Sequence, residues 1–514
     1  MKVWLMHPDR DFRLEGELPS HAADLVQDLE LERLFAAMAQ GDRFLLEVAR
    51  KAVLESLSEP EAVAYRQEVL RDALARPQAV RELYELAVAA GEDERRIFPG
   101  FLSRSPDSVL YRSVQLLELL VKRLRELREL ADRHGDAFRS RGFRRLFATL
   151  REELDERFFA AAEEHLKELK FREGVLISAA LGPGLRGRDY VLRRPLRERR
   201  GWLDRLLGKG RPAYSFEIAP RDESGARALA ELRDRGLAGV ARALAQSTDH
   251  ILDFFAALRT ELAFYLGALH LRDELAARGL PTCIPEALPP GRPALSARGL
   301  YDVALALRLE GGVVGNDVAA DGKRLVVVTG ANQGGKSTFL RSVGLAQLML
   351  QCGLFVGAER FSADLASGIF THFKREEDPS LRGGKLDEEL RRMSAIVDAI
   401  RPGALLLCNE SFASTNEREG SEIARQIVRA MLEAGVKVFF VTHLYDLAEG
   451  FHREGREEAL FLRAERQADG RRTFRMVEGA PLPTSFGEDL YRRIFGPAGG
   501  RDGVPRRASA ELTS

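Results

Sequence analysis

Residues 329 to 338 read Thr-Gly-Ala-Asn-Gln-Gly-Gly-Lys-Ser-Thr, which puts Gly330, Gly335, Lys336 and Ser337 at the spacing of a P-loop. The apolar run Leu325 to Val328 predicts a buried strand before it, and Phe339 to Leu350 predicts a helix after it. Strand, glycine-rich turn and helix in that order commit this part of the chain to an α/β sheet with an anion site at the strand's end. Gly330, Gly334 and Gly335 let successive backbone N–H groups curl around a β-phosphate, Lys336 supplies a cation for the β and γ oxygens, Ser337 offers its hydroxyl to Mg²⁺, and Thr338 closes the motif. The chain is therefore expected to bind a nucleoside triphosphate.

Two more elements of such a site follow. Ala404 to Cys408 predicts a second buried strand that delivers Asn409 and Glu410 at its C-terminal end, where open α/β sheets hold their ligands. In this Walker B position Asn409 stands where an Asp usually holds the Mg²⁺ shell, and Glu410 is the candidate for polarising the attacking water. Val436 to Val441 predicts a third strand ending in Thr442-His443, from which an imidazole could sense a γ-phosphate. Alone, His443 reads more readily as a packed strand-end residue; behind a P-loop and a Walker B it reads as part of the site.

Taken together these strings resemble the MutS family. Asn332, uncommon in other P-loops, sits where that family has it. Asn409-Glu410, with Ser414-Thr415-Asn416 and Gly420, is similar to the MutS stretch from Walker B through the D-loop. Thr442-His443 matches the family's switch histidine, and Ser485-Phe486-Gly487 resembles its late Ser-Tyr-Gly turn. The likeness is strong from about residue 295 to 495 and weaker upstream, where residues 65 to 70 and the long helices look like the MutS core and lever region. The resemblance implies ATP and Mg²⁺ as ligands, Ser337 and Asn409 on the metal, Glu410 and His443 as catalytic groups, and a homodimer whose nucleotide-binding domains close face to face on ATP. It also implies DNA as partner and DNA repair as the setting. The sequence departs from the family pattern at three places. Asn409 replaces the metal-shell Asp, which points to weaker metal binding and slower turnover; Gly384-Lys385-Leu386 stands where the family has a Ser-Thr-Phe signature reaching the partner's γ-phosphate, so that Lys385 would offer a charge in place of the hydroxyl; and Val313 or Val314 occupies the place of an adenine-stacking aromatic.

Upstream of the P-loop, residues 20 to 170 are helical in pattern, with breaks expected at Pro60, Pro77, Gly91 and Pro99-Gly100. Leu117, Leu120, Leu124, Leu127 and Ala131 make one buried helix face. Ile251, Phe255, Leu258, Leu262, Tyr265 and Leu269 hold a 3.5 period until Gly279 and Pro281 stop it, and read as a bundle core or, in a MutS-like frame, as a lever. Residues 171 to 220 break the pattern with strand-like pieces at Val175 to Ala179, Tyr190 to Leu192 and Tyr214 to Ile218. Between them, residues 186 to 211 carry ten basic side chains against three acidic ones, with Tyr190 and Trp202 interleaved. Arginine-rich loops with aromatics suit phosphate contact and base stacking, so Arg193, Arg194, Arg197, Arg199 and Arg200 are candidate DNA contacts, while a solvated loop or a subunit contact fits the same composition. MutS inserts its DNA-embracing clamp between two lever segments in the same way.

Composition adds limits. Seventy-eight basic residues against 78 acidic ones leave no net charge, so nucleic acid must be met by a local patch. Cys283, Cys352 and Cys408 lie at no metal-ligand spacing and read as buried free thiols of a reducing cytoplasm. No run approaches the roughly 18 apolar residues of a spanning helix, so neither membrane nor secretion is expected. Helix beginning near residue 20 leaves no room for a mismatch-reading domain, and Phe171-Arg172-Glu173 falls mid-chain as a chance match to its Phe-x-Glu reader. The expected fold is mixed: an all-α core and lever domain over 1–290 with a basic, β-containing, clamp-like insertion at 171–220, an α/β ABC-like P-loop ATPase domain over 291–496, and a disordered tail over 497–514. The expected function is an ATP-binding and hydrolysing dimeric protein of DNA repair or recombination, acting on branched or damaged DNA rather than single mismatches. Asn409 and Gly384 keep open a nucleotide-gated scaffold with little hydrolysis.

Overall fold

The structure, a computed structural model, describes residues 1–97, 105–172, 174–194, 215–375, 384–467 and 471–482. The chain divides into two compact units with interleaved segments: Met1–Glu17, Met38–Lys51 and Ala64–Leu271 form the first, and Leu18–Ala37, Ala52–Val63 and Arg272–Ser514 the second.

Helices α1 (Ala22–Asp28), α2 (Leu31–Ala39), α3 (Arg43–Leu54), α4 (Pro60–Ala75), α5 (Pro77–Ile97), α6 (Pro106–His134), α7 (Arg141–Glu153) and α8 (Glu156–Glu168) follow one another along the chain. The breaks expected at Pro60 and Pro77 are formed, and each proline begins the next helix, at the position where the missing N–H has no intrahelical partner. Side-chain oxygens of Ser105, Ser140 and Asp155 cap α6, α7 and α8 by accepting from the amides of Ser108, Phe143 and Phe158. Gly91 corrects the expected pattern: it lies inside α5, where burial of Leu83, Leu86, Ala87 and Ala90 outweighs the ~1 kcal/mol that a helical glycine costs relative to alanine. Pro99-Gly100 lies outside the described residues. The α6 stripe from Leu117 to Ala131 is buried throughout.

The 55-residue helix α9 (Glu223–Ala277), which belongs to the first unit as far as Leu271, buries Phe255, Leu258, Leu262, Tyr265 and Leu269, with Ile251 half-buried, and the chain leaves it through Gly279 at φ 69°. The N-terminal segment has no regular structure, yet Val3, Leu5, Met6 and Phe12 are buried. Side chains satisfy its backbone. Glu261 of α9 accepts the amides of Leu5 (2.5 Å), Met6 (3.0 Å) and Phe12 (3.0 Å). The hydroxyls of Tyr265 and Tyr65 donate to the carbonyls of Leu5 (2.7 Å) and Trp4 (2.6 Å). Strands β1 (Leu176–Leu181) and β2 (Gly187–Arg193) pair antiparallel as a two-stranded sheet. The third strand-like piece is not formed: residues 215–218 are irregular and have no strand partner among the described residues, and Tyr214, like Glu173, lies outside them.

The second unit holds two sheets. In the larger, β12 (Arg472–Glu478), β11 (Ala459–Arg466), β6 (Leu325–Gly330), β10 (Lys437–Val441), β9 (Leu405–Asn409) and β8 (Ile369–Phe373) lie in that spatial order, all parallel except β12 at the edge. Strands covered on both faces must be apolar throughout, which is why Leu325 to Val328 and Val438 to Val441 read as unbroken hydrophobic runs. Helices α11 (Lys336–Gln351), α12 (Lys385–Ala399), α13 (Glu417–Glu433) and α14 (Tyr445–Arg453) accompany it, and Met393, Val428 and Phe451 join Val327, Leu406 and Phe440 in one core. Helix α1 belongs to this unit, with the His21 ring 4.1 Å from that of Phe370 on β8. The smaller sheet runs β3 (Glu286–Leu288), β7 (Arg360–Asp364), β4 (Leu295–Leu300), β5 (Asn316–Ala319), with the one-turn helix α10 (Val303–Arg308) after β4. All three cysteines are free; Cys352 and Cys408 are buried, but Cys283, bridged to Val356 through its backbone at a sheet margin, is only half-buried. No helix among the described residues is long and apolar enough to cross a membrane.

Candidate nucleotide site

Strand β6 runs into the P-loop and α11 leaves it, so the loop's amides and the helix N-terminus face one cavity of about 930 Å³. The loop needs its glycines: Gly335 takes φ 90°, and a Cβ on Gly334 would come within 2.8 Å of the Ala331 carbonyl. Gly330, Asn332, Gly334, Gly335, Lys336, Ser337 and Thr338 all line the cavity. The Lys336 ammonium donates to the carbonyls of Gly330 (3.0 Å) and Ala331 (3.1 Å). Burial lowers its pKa from the ordinary lysine value, the Glu410 carboxylate opposes that fall, and the Arg472 guanidinium adds to it. The Asn332 carbonyl accepts from Arg472 of β12 (3.4 Å).

Strands β9 and β10 bring the rest. The Ser337 hydroxyl donates to Asn409 Oδ1 at 2.8 Å, so the two side chains assigned to the metal stand side by side. Their oxygens fit Mg²⁺, which takes one or two protein oxygens and completes its shell with water and phosphate. Among the described residues no cluster of three or more His, Cys, Asp or Glu offers an alternative metal cage. Glu410 and His443 also line the cavity; the Glu410 amide donates to Val441 of β10 (2.9 Å), and His443 is exposed.

The apolar wall is formed by Leu305, Leu309, Val313, Val314, Leu482 and Phe474. Asp302 caps α10 beneath this wall through the Leu305 amide (2.9 Å) and pairs with Arg341 of α11, which also meets Glu30. Phe474 is a site residue that the sequence does not reveal. It lies on β12 with φ 61°, 47% exposed, its Cβ 3.4 Å from where one on Gly335 would stand. No motif marks it, since only the antiparallel pairing of β12 onto β11 carries it to the P-loop.

The D-loop residues are not in this cavity. Ser414 donates to Glu389 (2.8 Å), Thr415 to Glu419 (2.6 Å), and Asn416 caps α13 by accepting from the Glu419 amide (3.0 Å). Lys385 begins α12, and it too is absent from the lining. Of the five candidate arginines, Arg193 donates to Ser178 (2.9 Å) and Arg194 to Glu168 (2.8 Å), while Arg197, Arg199 and Arg200 lie outside the described residues. So do Ser485-Phe486-Gly487 and the tail.

The sequence matches the MutS2 N-terminal domain over residues 58–278 and MutS domain V over 326–498. The chain belongs to the MutS family. Domain V of that family is an ABC-like ATPase domain. Similar curated relatives are "DNA mismatch repair protein MutS" of Thermotoga sp. (strain RQ2), 38% identical over 26% of this chain and 17% of its own length, and "Endonuclease MutS2" of Thermus thermophilus, 33% identical over 39% of this chain and 26% of its own. "MutS protein homolog 4" of Mus musculus is 28% identical over 29% of this chain and 16% of its own. The matched stretches thus span no more than about a quarter of these relatives.

Proposed function

We propose that this MutS-family chain is an ATPase that couples a nucleotide cycle to DNA binding in repair or recombination. The observation that carries the reading is convergence: the P-loop with Ser337, Glu410 and His443 line one cavity of nucleotide size, and Asn409 stands behind its wall in hydrogen bond to Ser337. In this reading the P-loop amides and Lys336 hold the β and γ phosphates, and Phe474 with Val313 and Val314 supplies the apolar face for the base. Ser337 and Asn409 would hold Mg²⁺, which would supply charge neutralisation at the phosphates. Glu410 orients and polarises the attacking water, and His443 lies where it can report on the γ-phosphate.

The working unit in this proposal is a homodimer, with Ser414, Thr415, Asn416 and Lys385 at the facing surface rather than around the chain's own nucleotide. ATP then biases the arrangement of two helical arms, of which α9 is the lever, and hydrolysis resets it. The ATPase domain covers 291–496, the helical domain 1–290, and the basic insertion at 171–220 meets DNA through its phosphates. Three free thiols suit a reducing cytoplasm. Relatives named for mismatch repair support DNA as the partner.

A second reading, a nucleotide-gated scaffold with little hydrolysis, is favoured by one observation: Asn409 brings no charge to the metal. Steady-state ATP turnover of the parent, Lys336→Ala and Glu410→Gln, with and without branched and linear DNA, separates the two. The ATPase reading expects Lys336→Ala to lose nucleotide binding and Glu410→Gln to keep it while losing turnover. Equal turnover in parent and Glu410→Gln refutes that reading and leaves the scaffold.

A further inference from the structure

The turn that carries Glu410 is held from behind by groups that no nucleotide chemistry uses. Glu410 and Phe412 both have left-handed backbone, φ 53° and 63°, although neither is glycine. Such conformations persist in non-glycine residues only where the surroundings over-determine them. Ser411, between them, is fully buried, and so is His372 on the neighbouring strand β8. The Ser411 oxygen lies 2.7 Å from His372 Nδ1 and 2.7 Å from the His372 carbonyl. On its other edge, His372 Nε2 lies 2.9 Å from the carbonyl of Glu389 in α12. A carbonyl only accepts, so Nε2 carries the ring proton toward Glu389, and the single Ser411 hydroxyl proton is held between two acceptors, the His372 carbonyl and Nδ1. Burial, and then the Arg392 guanidinium, push this imidazole down to about 4, in keeping with a neutral ring. Phe412 stacks on the same ring, with centroids 5.3 Å apart and planes 22° apart. The Glu389 carboxylate meanwhile accepts from Ser414.

We propose that His372 and Ser411 form a clamp behind the Walker B turn that positions the Glu410 carboxylate for hydrolysis, and that Glu389 ties the clamp to the turn at Ser414. Neither clamp residue touches the nucleotide cavity, so both are positioning residues. The β10 side of the turn is fixed by the Glu410 amide on Val441; the clamp fixes the other side. Removing it leaves the P-loop intact and lets the carboxylate drift, and a displacement of about 1 Å in a reacting group is enough to cost on the order of 100-fold in rate.

The proposal rests on the ATPase reading. Its test measures kcat, KM for ATP, affinity for a fluorescent ADP analogue and the melting temperature of the full chain for the parent, Ser411→Ala, His372→Phe, their combination and Glu410→Gln. The expected result is a fall of about 10- to 100-fold in kcat for each single variant, with nucleotide affinity within about twofold of the parent and a double variant no slower than the worse single one. A purely structural role would move the melting temperature and the affinity but would not produce this non-additive loss in kcat. If Ser411→Ala does not fold, His372→Phe, which retains a ring against Phe412, carries the comparison. Parent-like kcat in the folded clamp variants beside lost turnover in Glu410→Gln overturns the clamp alone, as do losses that simply multiply in the double variant. Equal turnover in Glu410→Gln and parent overturns the ATPase reading and the clamp with it.

Discussion

Replacing Glu261 by Gln should change how the chain's stability depends on pH more than how stable it is. Glu261 is fully buried in α9 and accepts three amides of the N-terminal segment, an arrangement that favours the carboxylate. Burial works against it, and the Asp11 carboxylate adds to burial, so the group is pushed from 4.5 up to about 7. A folded pKa above the unfolded one means that between 4.5 and about 7 the folded chain holds a proton the unfolded chain has lost. Its contribution is therefore full below pH 4.5 and disappears as pH rises through about 7. Two and a half units at ~1.4 kcal/mol per unit come to about 3 kcal/mol. The amide that replaces the carboxyl stays neutral throughout, so the stability of parent minus Glu261→Gln, measured by urea unfolding at intervals from pH 4 to 8, should fall by about that amount. His7 and His372, pushed by burial to about 3 and about 4, titrate in both chains and cancel in the difference. Hydrogen exchange over residues 1–17 should locate the loss in the N-terminal segment. A difference that stays level with pH would refute the reasoning, because it would mean the three amides outweigh desolvation and keep the carboxylate charged.

Asn409→Asp restores a charge beside Ser337 and should lower the Mg²⁺ concentration that gives half-maximal ATP turnover; an unchanged requirement would place the metal elsewhere. Phe474→Ala should weaken binding of a fluorescent ATP analogue by about 2- to 12-fold, the range for losing one aromatic contact, with little effect on turnover at saturating ATP. Replacing Arg193, Arg194, Arg197, Arg199 and Arg200 together by Ala should flatten the plot of log affinity for duplex DNA against log salt by about 0.9 for each arginine that meets a phosphate. Because Arg194 is already engaged by Glu168, the loss should come to at most about 4 units, and an unchanged slope would remove the insertion from the DNA surface.

The P-loop half of this molecule was legible because phosphate-binding chemistry dictates local sequence. A phosphate cradle needs glycines at fixed steps between a strand and a helix, and a parallel strand covered on both faces is apolar along its covered length, so Leu325 to Val328 and Val438 to Val441 announced themselves. The helical half was legible only as periodicity. Its stripes gave α6 and α9 their buried faces, but Gly91 and residues 215–218 depart from what their residue types predict, because propensity is a weak prior that packing and strand partnership override. The N-terminal segment had no signal at all. Its fold depends on a carboxylate 256 positions away, and neither a period nor a motif spans that distance.

Within the proposed site, what could be read from sequence is what would meet phosphate, metal or attacking water, and what could not is what would hold those groups still. Lys336, Ser337, Asn409 and Glu410 follow from spacing because the proposed task of each lies at a fixed atom. Phe474 has a task that any flat apolar side chain could perform from any strand edge near the P-loop, so chemistry imposes no string around it. His372 and Ser411 are further removed: they act on a backbone turn, and a turn can be braced by many side-chain pairs. Residues that act through geometry rather than through a reacting atom leave almost no local signature, so this chain's own solution to bracing Glu410 became visible only when β8, β9 and α12 were set side by side.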